Sequence, residues 1–174
     1  DKEYNHVLEA FRTARLSEQL RNNLRKYLQV MTKPLAVRSS GLFEDSLNQP
    51  FAGVYSTYLL PNNHPDIERR LEDVENAIKL VFASIYSPES RAYFNAIDYM
   101  IEEEKMAVII QEVIGNEHNG RYYPEISGVA QSYNFYPFSY IQPEDGFAVT
   151  AIGLGPTSLG KRHTVSVLPI PNYN

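Results

Sequence analysis

The sequence lacks the residues that several classes of site require. Among its 174 residues there is no cysteine and no tryptophan. Disulfides and cysteine-ligated metals are therefore excluded, and a reducing compartment is expected. The formal net charge of −5 argues against broad nucleic-acid binding, which usually shows a basic face. No apolar run approaches the roughly 20 residues of a membrane span, and the charged start does not read as a signal peptide.

These absences favour a soluble, cytoplasmic domain that has neither a membrane nor a nucleic acid as partner. The chain begins with Asp1 rather than Met, so we expect it to be a piece of a longer protein. Its length is sufficient for one domain with a real core.

The first part of the chain predicts helices separated by strands. Residues 3–31 have helical periodicity, and Ser17 is a candidate cap for a second helix. An apolar stripe from Ile67 to Ile85 predicts an amphipathic helix, with Pro65 in its first turn. Ser87 is expected to open another helix.

Strands dominate the rest of the prediction. Helices first and a run of strands later favour an α+β fold over a doubly wound sheet. The expected organisation is one domain over 1–174, with a helical part at 1–33, a strand–loop–strand region at 34–60, helices at 64–104 and a sheet at 106–170. The predicted strands are 34–40, 54–60, 106–114, 126–134, 146–155 and 163–170, with a hairpin connection over 116–125.

The stretch KPLAVRSSGLFEDS (33–46) raises the question of an anion site. An apolar strand delivers Arg38, whose planar fork of donors suits phosphate or carboxylate oxygens, and then the hydroxyls of Ser39 and Ser40. The alternative is that Arg38 pairs with Glu44 or Asp45 and ties down a loop. The pattern alone leaves both interpretations open.

Two further segments could complete a ligand site. Phe51-Ala52-Gly53 forms a small-residue bend that could lay backbone N–H groups over phosphates, although an ordinary loop explains the same pattern. AVIIQEVIG (107–115) could be a hinge strand whose backbone reads an adenine edge, although a buried strand with a polar end is the simpler interpretation.

Other polar features predict no site. AIGLGPTSLGK (151–161) lacks the GxxxxGK[ST] pattern of a phosphate-binding loop. Glu102–Glu104 is expected to be a solvated helix end. The four histidines have no metal-type spacing and are interpreted as surface or capping residues: His6, His64, His118 and His163.

The order of these segments is more specific than any one of them. AVRSSGLFEDSLNQPFAGVYSTYL (36–59) resembles the nucleotide-binding domain of the phosphoenolpyruvate synthase and pyruvate phosphate dikinase family. VFASIYSPESRAYF (81–94), MAVIIQEVIG (106–115), SGVAQS (127–132) and AIGLG (151–155) then follow in family order. The resemblance covers nearly the whole chain.

The resemblance implies an ATP-grasp-like fold, here a partial ATP-grasp domain with a mixed or antiparallel sheet and flanking helices. It implies ATP and Mg²⁺ as cofactors. By resemblance, Arg38, Ser39, Ser40 and Gly53 would bind the ATP phosphates. The adenine site would be lined by Gln111, Glu112 and Val113.

The resemblance also implies a larger parent. ATP would phosphorylate a histidine on another domain, and a separate substrate domain would select the acceptor. Relatives carry a glutamate where this chain has Pro156, so either the metal ligand is lost or residues are missing between Gly155 and Pro156. The family's glycine-rich segment with its phosphate-binding lysine, its phosphohistidine domain and its pyruvate-binding barrel are also not seen in this sequence. We therefore expect this piece alone to be inactive in converting pyruvate to phosphoenolpyruvate. The alternatives are a non-catalytic nucleotide-binding module and a structural or interaction domain.

Overall fold

Helices in the first half of the chain begin where a side chain can cap them. The computed structural model describes residues 2–42, 54–97, 100–137, 140–154 and 166–168. The Ser17 hydroxyl accepts a hydrogen bond from the Leu20 N–H at 3.3 Å, which confirms Ser17 as a cap. The α-helices of the described residues are α1 (Lys2–Thr13), α2 (Glu18–Val30), α3 (Ile67–Ala83) and α4 (Pro88–Ala96).

The start of α3 corrects the prediction for Pro65. The helix begins at Ile67, and its cap is Asp66, whose carboxylate accepts from the Glu68 N–H at 2.9 Å. Pro65 therefore precedes the cap instead of lying in the first turn. The Asp66 carboxylate can accept a hydrogen bond from a free N–H of the first turn, whereas a proline side chain has no acceptor. The capping position is therefore Asp66, and the helix starts after it.

Strands of the described residues form three antiparallel sheets. The orders are β2-β1-β3, β4-β5 and β6-β7-β8, and they agree with an α+β class. Their bounds are β1 (Leu35–Gly41), β2 (Tyr58–Leu60), β3 (Met106–Glu112), β4 (Asn116–His118), β5 (Arg121–Tyr123), β6 (Ile126–Gln131), β7 (Phe147–Ile152) and β8 (Ser166–Leu168).

The strand predicted over 54–60 is wrong in its first half. Only Tyr58–Leu60 pairs with β1. Tyr55 is instead buried against Phe94, and the Ser56 N–H donates to the Ser84 hydroxyl at 3.1 Å. Burial of this one aromatic ring takes the segment out of the sheet.

The chain divides into two compact units, Asp1–Val113 and Ile114–Asn174. In the first unit, one face of the sheet β2-β1-β3 packs on α2 and α3. The predicted stripe of α3 supplies much of this core. The buried residues of the core are Leu24, Leu28, Leu35, Val37, Leu71, Val74, Ala77, Ile78 and Val81.

The second unit has a predicted hairpin and a longer sheet. Asn119 and Gly120 take φ values of 51° and 76°, which gives the tight turn that joins β4 to β5. β6 pairs with β7 from Ile126↔Ile152 to Gln131↔Phe147. In the described part of the chain, no helix is long and apolar enough to cross a membrane.

A buried amide fixes the chain where it enters β1. The Asn62 side chain is 6% exposed and donates to the carbonyls of Met31 and Lys33 at 3.0 and 2.9 Å. Arg70 donates to Asn62 Oδ1 and to the Met31 carbonyl. Asn62 has φ of 52°, a conformation that asparagine tolerates better than most residues.

We expect Asn62→Ala to lower the free energy of unfolding by about 2–3 kcal/mol, because the carbonyls of Met31 and Lys33 each lose a hydrogen bond and alanine is strained at positive φ. Asn62→Gly should lose less, since glycine adopts positive φ without the steric cost. Asn63→Ala is the matched exposed control. Urea unfolding measures all three, and an Asn62→Ala protein as stable as Asn63→Ala would contradict the role of the amide.

A pH-dependent contact joins α2 to α3. Arg25 donates from Nε to Glu68 Oε1 at 2.6 Å and from Nη2 to Oε2 at 3.0 Å. This hydrogen bond lowers the pKa of Glu68 below its ordinary 4.5. A lowered folded-state pKa stabilises the protein above the ordinary value, and the effect is lost as the pH falls through the folded-state pKa.

Glu68→Gln should therefore lower the unfolding midpoint at neutral pH and lose that effect below the ordinary glutamate pKa. Thermal unfolding across this range measures the difference. Glu72→Gln removes the same charge from the same helix, where the contact with Arg69 is a longer 3.4 Å. A deficit for Glu68→Gln that stays constant down to acid pH would show that the ion pair is not its cause.

Candidate functional site

The pairing of β1 with β3 decides which predicted site residues share a face. The register runs from Leu35↔Glu112 to Gly41↔Met106, with Arg38 opposite Ile109. Because successive side chains alternate across a sheet, one face carries Leu35, Val37 and Ser39, and the other carries the residues between them.

Arg38, Ser40 and Gln111 lie on the face opposite the core. This open face also includes Ala36, Leu59, Ala107 and Ile109. Arg38 and Gln111 are exposed, and Ser40 is half-buried. Gln111 pairs with Ala36, so it is a diagonal neighbour of Arg38, at about 7–8 Å in such a sheet. On the open face Arg38 therefore lies between the Ser40 hydroxyl, two residues along β1, and the Gln111 amide on β3.

Arg38 has no ion-pair partner among the residues that the structure describes. Glu44 and Asp45, which sequence reasoning offered as alternative partners, lie outside the described residues. So do Gly53, Gly155 and Pro156. The predictions made for those positions therefore stay predictions.

Ser39 and Glu112 point to the other side of the sheet. Ser39 is 4% exposed, on the face that packs on the core. Glu112 accepts a hydrogen bond from Lys33 Nζ at 2.7 Å. Burial, and then the charge of Glu112, raise the pKa of Tyr27 in α2, so this carboxylate lies on the helix side. The two side chains are not part of the open face.

Backbone groups of β3 point alternately toward β1 and toward the outer edge of the sheet. The Val113 N–H donates to the Pro34 carbonyl at 2.8 Å, and the Leu42 N–H donates to the Lys105 carbonyl at 3.3 Å. Antiparallel strands alternate between hydrogen-bonded and non-hydrogen-bonded pairs, so the N–H and C=O of Glu112 point away from β1. β3 is the last strand of its sheet in the described structure, and these groups line its outer edge.

Glu104 is a positioned residue that sequence reasoning missed. It was expected at a solvated helix end, but its Oε1 accepts from the Leu42 N–H at 2.7 Å and its Oε2 from the Tyr55 hydroxyl at 2.5 Å. The neighbours Glu102 and Glu103 are exposed, as predicted. No sequence signal separates Glu104 from them, because both partners are distant along the chain.

No metal centre is assigned. Within the described ranges, no group of three or more His, Cys, Asp or Glu side chains could hold a metal ion. His118 stacks on Tyr123, and its Nε2 lies 3.3 Å from Glu125 Oε1, close enough for an ion pair but outside hydrogen-bond geometry.

A cleft of about 270 Å³ lies between the α1–α2 connection and α3. Two of its cations are already engaged, since Arg21 contacts Glu75 at 2.5 Å and Lys79 donates to the Arg12 carbonyl. The cleft contains none of the predicted site residues. Its lining is Ala14, Arg15, Leu16, Glu18, Arg21, Glu75 and Lys79.

The first sheet of this α+β scaffold thus carries an exposed arginine on its open face, and a guanidinium is a group that suits an anion. In a comparison with protein-family models, residues 1–162 match the model described as pyruvate phosphate dikinase, AMP/ATP-binding domain. The chain belongs to this family and is its nucleotide-binding part. A search of curated proteins found no match.

The edge of β3 can be tested by amide hydrogen exchange. The amides of Ile109, Gln111 and Val113 point toward β1 and should exchange slowly. Those of Val108, Ile110 and Glu112 point outward and should exchange faster. The measurement is residue-resolved exchange by NMR. Uniform protection from 108 to 113 would contradict an open outer edge.

Proposed function

We propose that this chain provides the ATP site of a phosphotransferase similar to phosphoenolpyruvate synthase and pyruvate phosphate dikinase. In this proposal Arg38 binds the ATP phosphates. The observation that supports it is the exposed Arg38 on the open face, in a chain that belongs to a nucleotide-binding family. An arginine held on a central strand costs little to pre-organise, because Arg38 is paired with Ile109 of β3 and the residues just before it are also paired with β2.

Arg38 suits a phosphate better than a lysine would. Its planar fork offers parallel N–H donors to two oxygens at once. The Ser40 hydroxyl is on the same face and can donate to a third oxygen. In the proposal Ser39 supports the site from the packed face of β1, and Gly53 belongs to the loop over the phosphates.

The adenine is assigned to the end of β3. Gln111 offers an amide on the open face, and Glu112 offers backbone N–H and C=O at the outer edge. The Val113 N–H already donates to Pro34, so we assign Val113 an apolar contact with the ring. The Glu112 side chain is held by Lys33, which leaves its backbone as the reading group.

The two compact units are proposed to be parts of one ATP-grasp-type domain. The chain passes from one unit to the other after Val113, within the segment 107–115 that was predicted as a hinge. In the cytoplasmic parent protein, phosphate from ATP would pass to a histidine on another domain and then to the acceptor of a substrate domain. Mg²⁺ would supply charge neutralisation on the phosphate oxygens. No residue of this chain is assigned as its ligand.

Titration calorimetry with Mg·ATP tests the phosphate assignment. We expect Arg38→Ala to weaken binding by about tenfold or more, as the loss of a charge-assisted contact should. Arg38→Lys keeps the charge without the fork and should fall between Arg38→Ala and the wild type. Arg69→Ala is the matched control, because it removes the same charge from an exposed position of α3, on the packed side of the sheet.

Adenosine separates phosphate from base recognition. Because adenosine lacks phosphates, its affinity should be the same for wild type and Arg38→Ala. Equal loss of Mg·ATP affinity in Arg38→Ala and Arg69→Ala would show a general charge effect and reject Arg38 as the phosphate contact. No effect in either variant would move the nucleotide to another face.

A further inference from the structure

The carboxylate of Glu104 joins two parts of the fold that are distant in sequence. Leu42 directly follows β1, and Tyr55 is 13 positions later in the sequence. Glu104 binds both, through one carboxylate oxygen each. The same oxygen that receives the Leu42 N–H shares this donor with the Lys105 carbonyl, at 3.3 Å.

Glu104 and its partner Tyr55 are each held by further contacts. The Glu104 N–H donates to the Ile101 carbonyl at 3.1 Å, which closes the short 3₁₀ helix Ile101–Glu103 before β3. Tyr55 is 5% exposed and packs on Phe94. The Glu104 side chain therefore extends from a hydrogen-bonded turn to a buried ring.

Gly41 makes the contact possible. A Cβ at this position would lie 3.0 Å from Tyr55 Cε2 and 3.1 Å from both carboxylate oxygens of Glu104. Such distances are tighter than ordinary van der Waals contact, so a side chain here would push the ring and the carboxylate away from β1. The absence of a side chain at the end of β1 is thus matched to the Glu104 contact.

We infer that Glu104 is a positioning residue of the nucleotide site, which acts through the end of β1 and through Tyr55. This inference rests on the proposed function. In the described structure no hydrogen bond or ion pair joins Glu104 to Arg38 or Ser40. Its carboxylate instead holds Leu42, which lies two residues after Ser40 and directly after β1, and Tyr55. A shift of β1 would move Arg38 and Ser40 relative to Gln111.

The test compares nucleotide affinity with fold stability in matched variants. Glu104→Gln keeps the shape but removes the charge and one acceptor oxygen. Glu103→Gln removes the same charge from the exposed neighbour. Tyr55→Phe removes only the hydroxyl, and Gly41→Ala perturbs the contact without changing a charge. Calorimetry with Mg·ATP and thermal unfolding are measured for each, in the 174-residue chain.

We expect Glu104→Gln to weaken Mg·ATP binding by about three- to tenfold, with Glu103→Gln unchanged. Tyr55→Phe should weaken it by a smaller factor. In the double variant the two losses should not add, because both remove the same contact. The Leu42 amide proton should move upfield in Glu104→Gln, where its carboxylate acceptor is lost.

The possible failures can be told apart. If wild type binds Mg·ATP and Glu104→Gln binds it equally well with a lower unfolding midpoint, Glu104 is merely structural and the inference is wrong. If Glu103→Gln weakens binding as much as Glu104→Gln, the effect is long-range charge and the inference is wrong. If wild type binds no Mg·ATP at all, the proposed function fails for this chain, and the inference fails with it.

Discussion

The antiparallel register between β1 and β3 is the constraint on which the rest of the structure depends. It pairs seven residues of each strand without a bulge. Because side chains alternate along a strand, this register fixes the face of each side chain: Val37 and Ser39 must face the core if Arg38 faces outward. A slip by one residue would bury the guanidinium and expose Val37. The packing of α3 on Leu35 and Val37 therefore also fixes the orientation of Arg38.

Local chemistry explains which parts of the fold were predictable. Ser17 and Ser87 cap helices by contacts within three residues, and Asn119-Gly120 makes a turn by its own φ preference. The helix stripe of α3 also needs no knowledge of its partner. Tyr55 shows the limit: its alternating surroundings are typical of a strand, but burial against Phe94, a residue 39 positions away in the printed sequence, decides its conformation.

The candidate site was predictable as a set of segments, not as a geometry. The order of motifs brought Arg38 and Gln111 into one hypothesis, and the register places them on one face. The order of motifs could not show that Ser39 and Glu112 face the helices, because that depends on which face of the sheet α3 covers. Nor could it find Lys33 as the partner of Glu112, or Glu104 as the partner of Leu42. These contacts join residues at least 62 positions apart.

The charge distribution explains how an acidic chain can hold a polyanion. The net charge of −5 repels a phosphate only through charges that lie close to it. In salt of physiological strength, exposed charges are largely screened beyond about 8 Å. Among the described residues of the open face, no side chain is a carboxylate. Several nearby carboxylates are instead engaged elsewhere, such as Glu112 with Lys33 and Glu104 with Leu42 and Tyr55. These hydrogen bonds hold the two carboxylates away from the open face, where Arg38 is the charged side chain among the described residues of β1, β2 and β3. At the proposed site, a phosphate would therefore meet a cation although the whole chain is acidic.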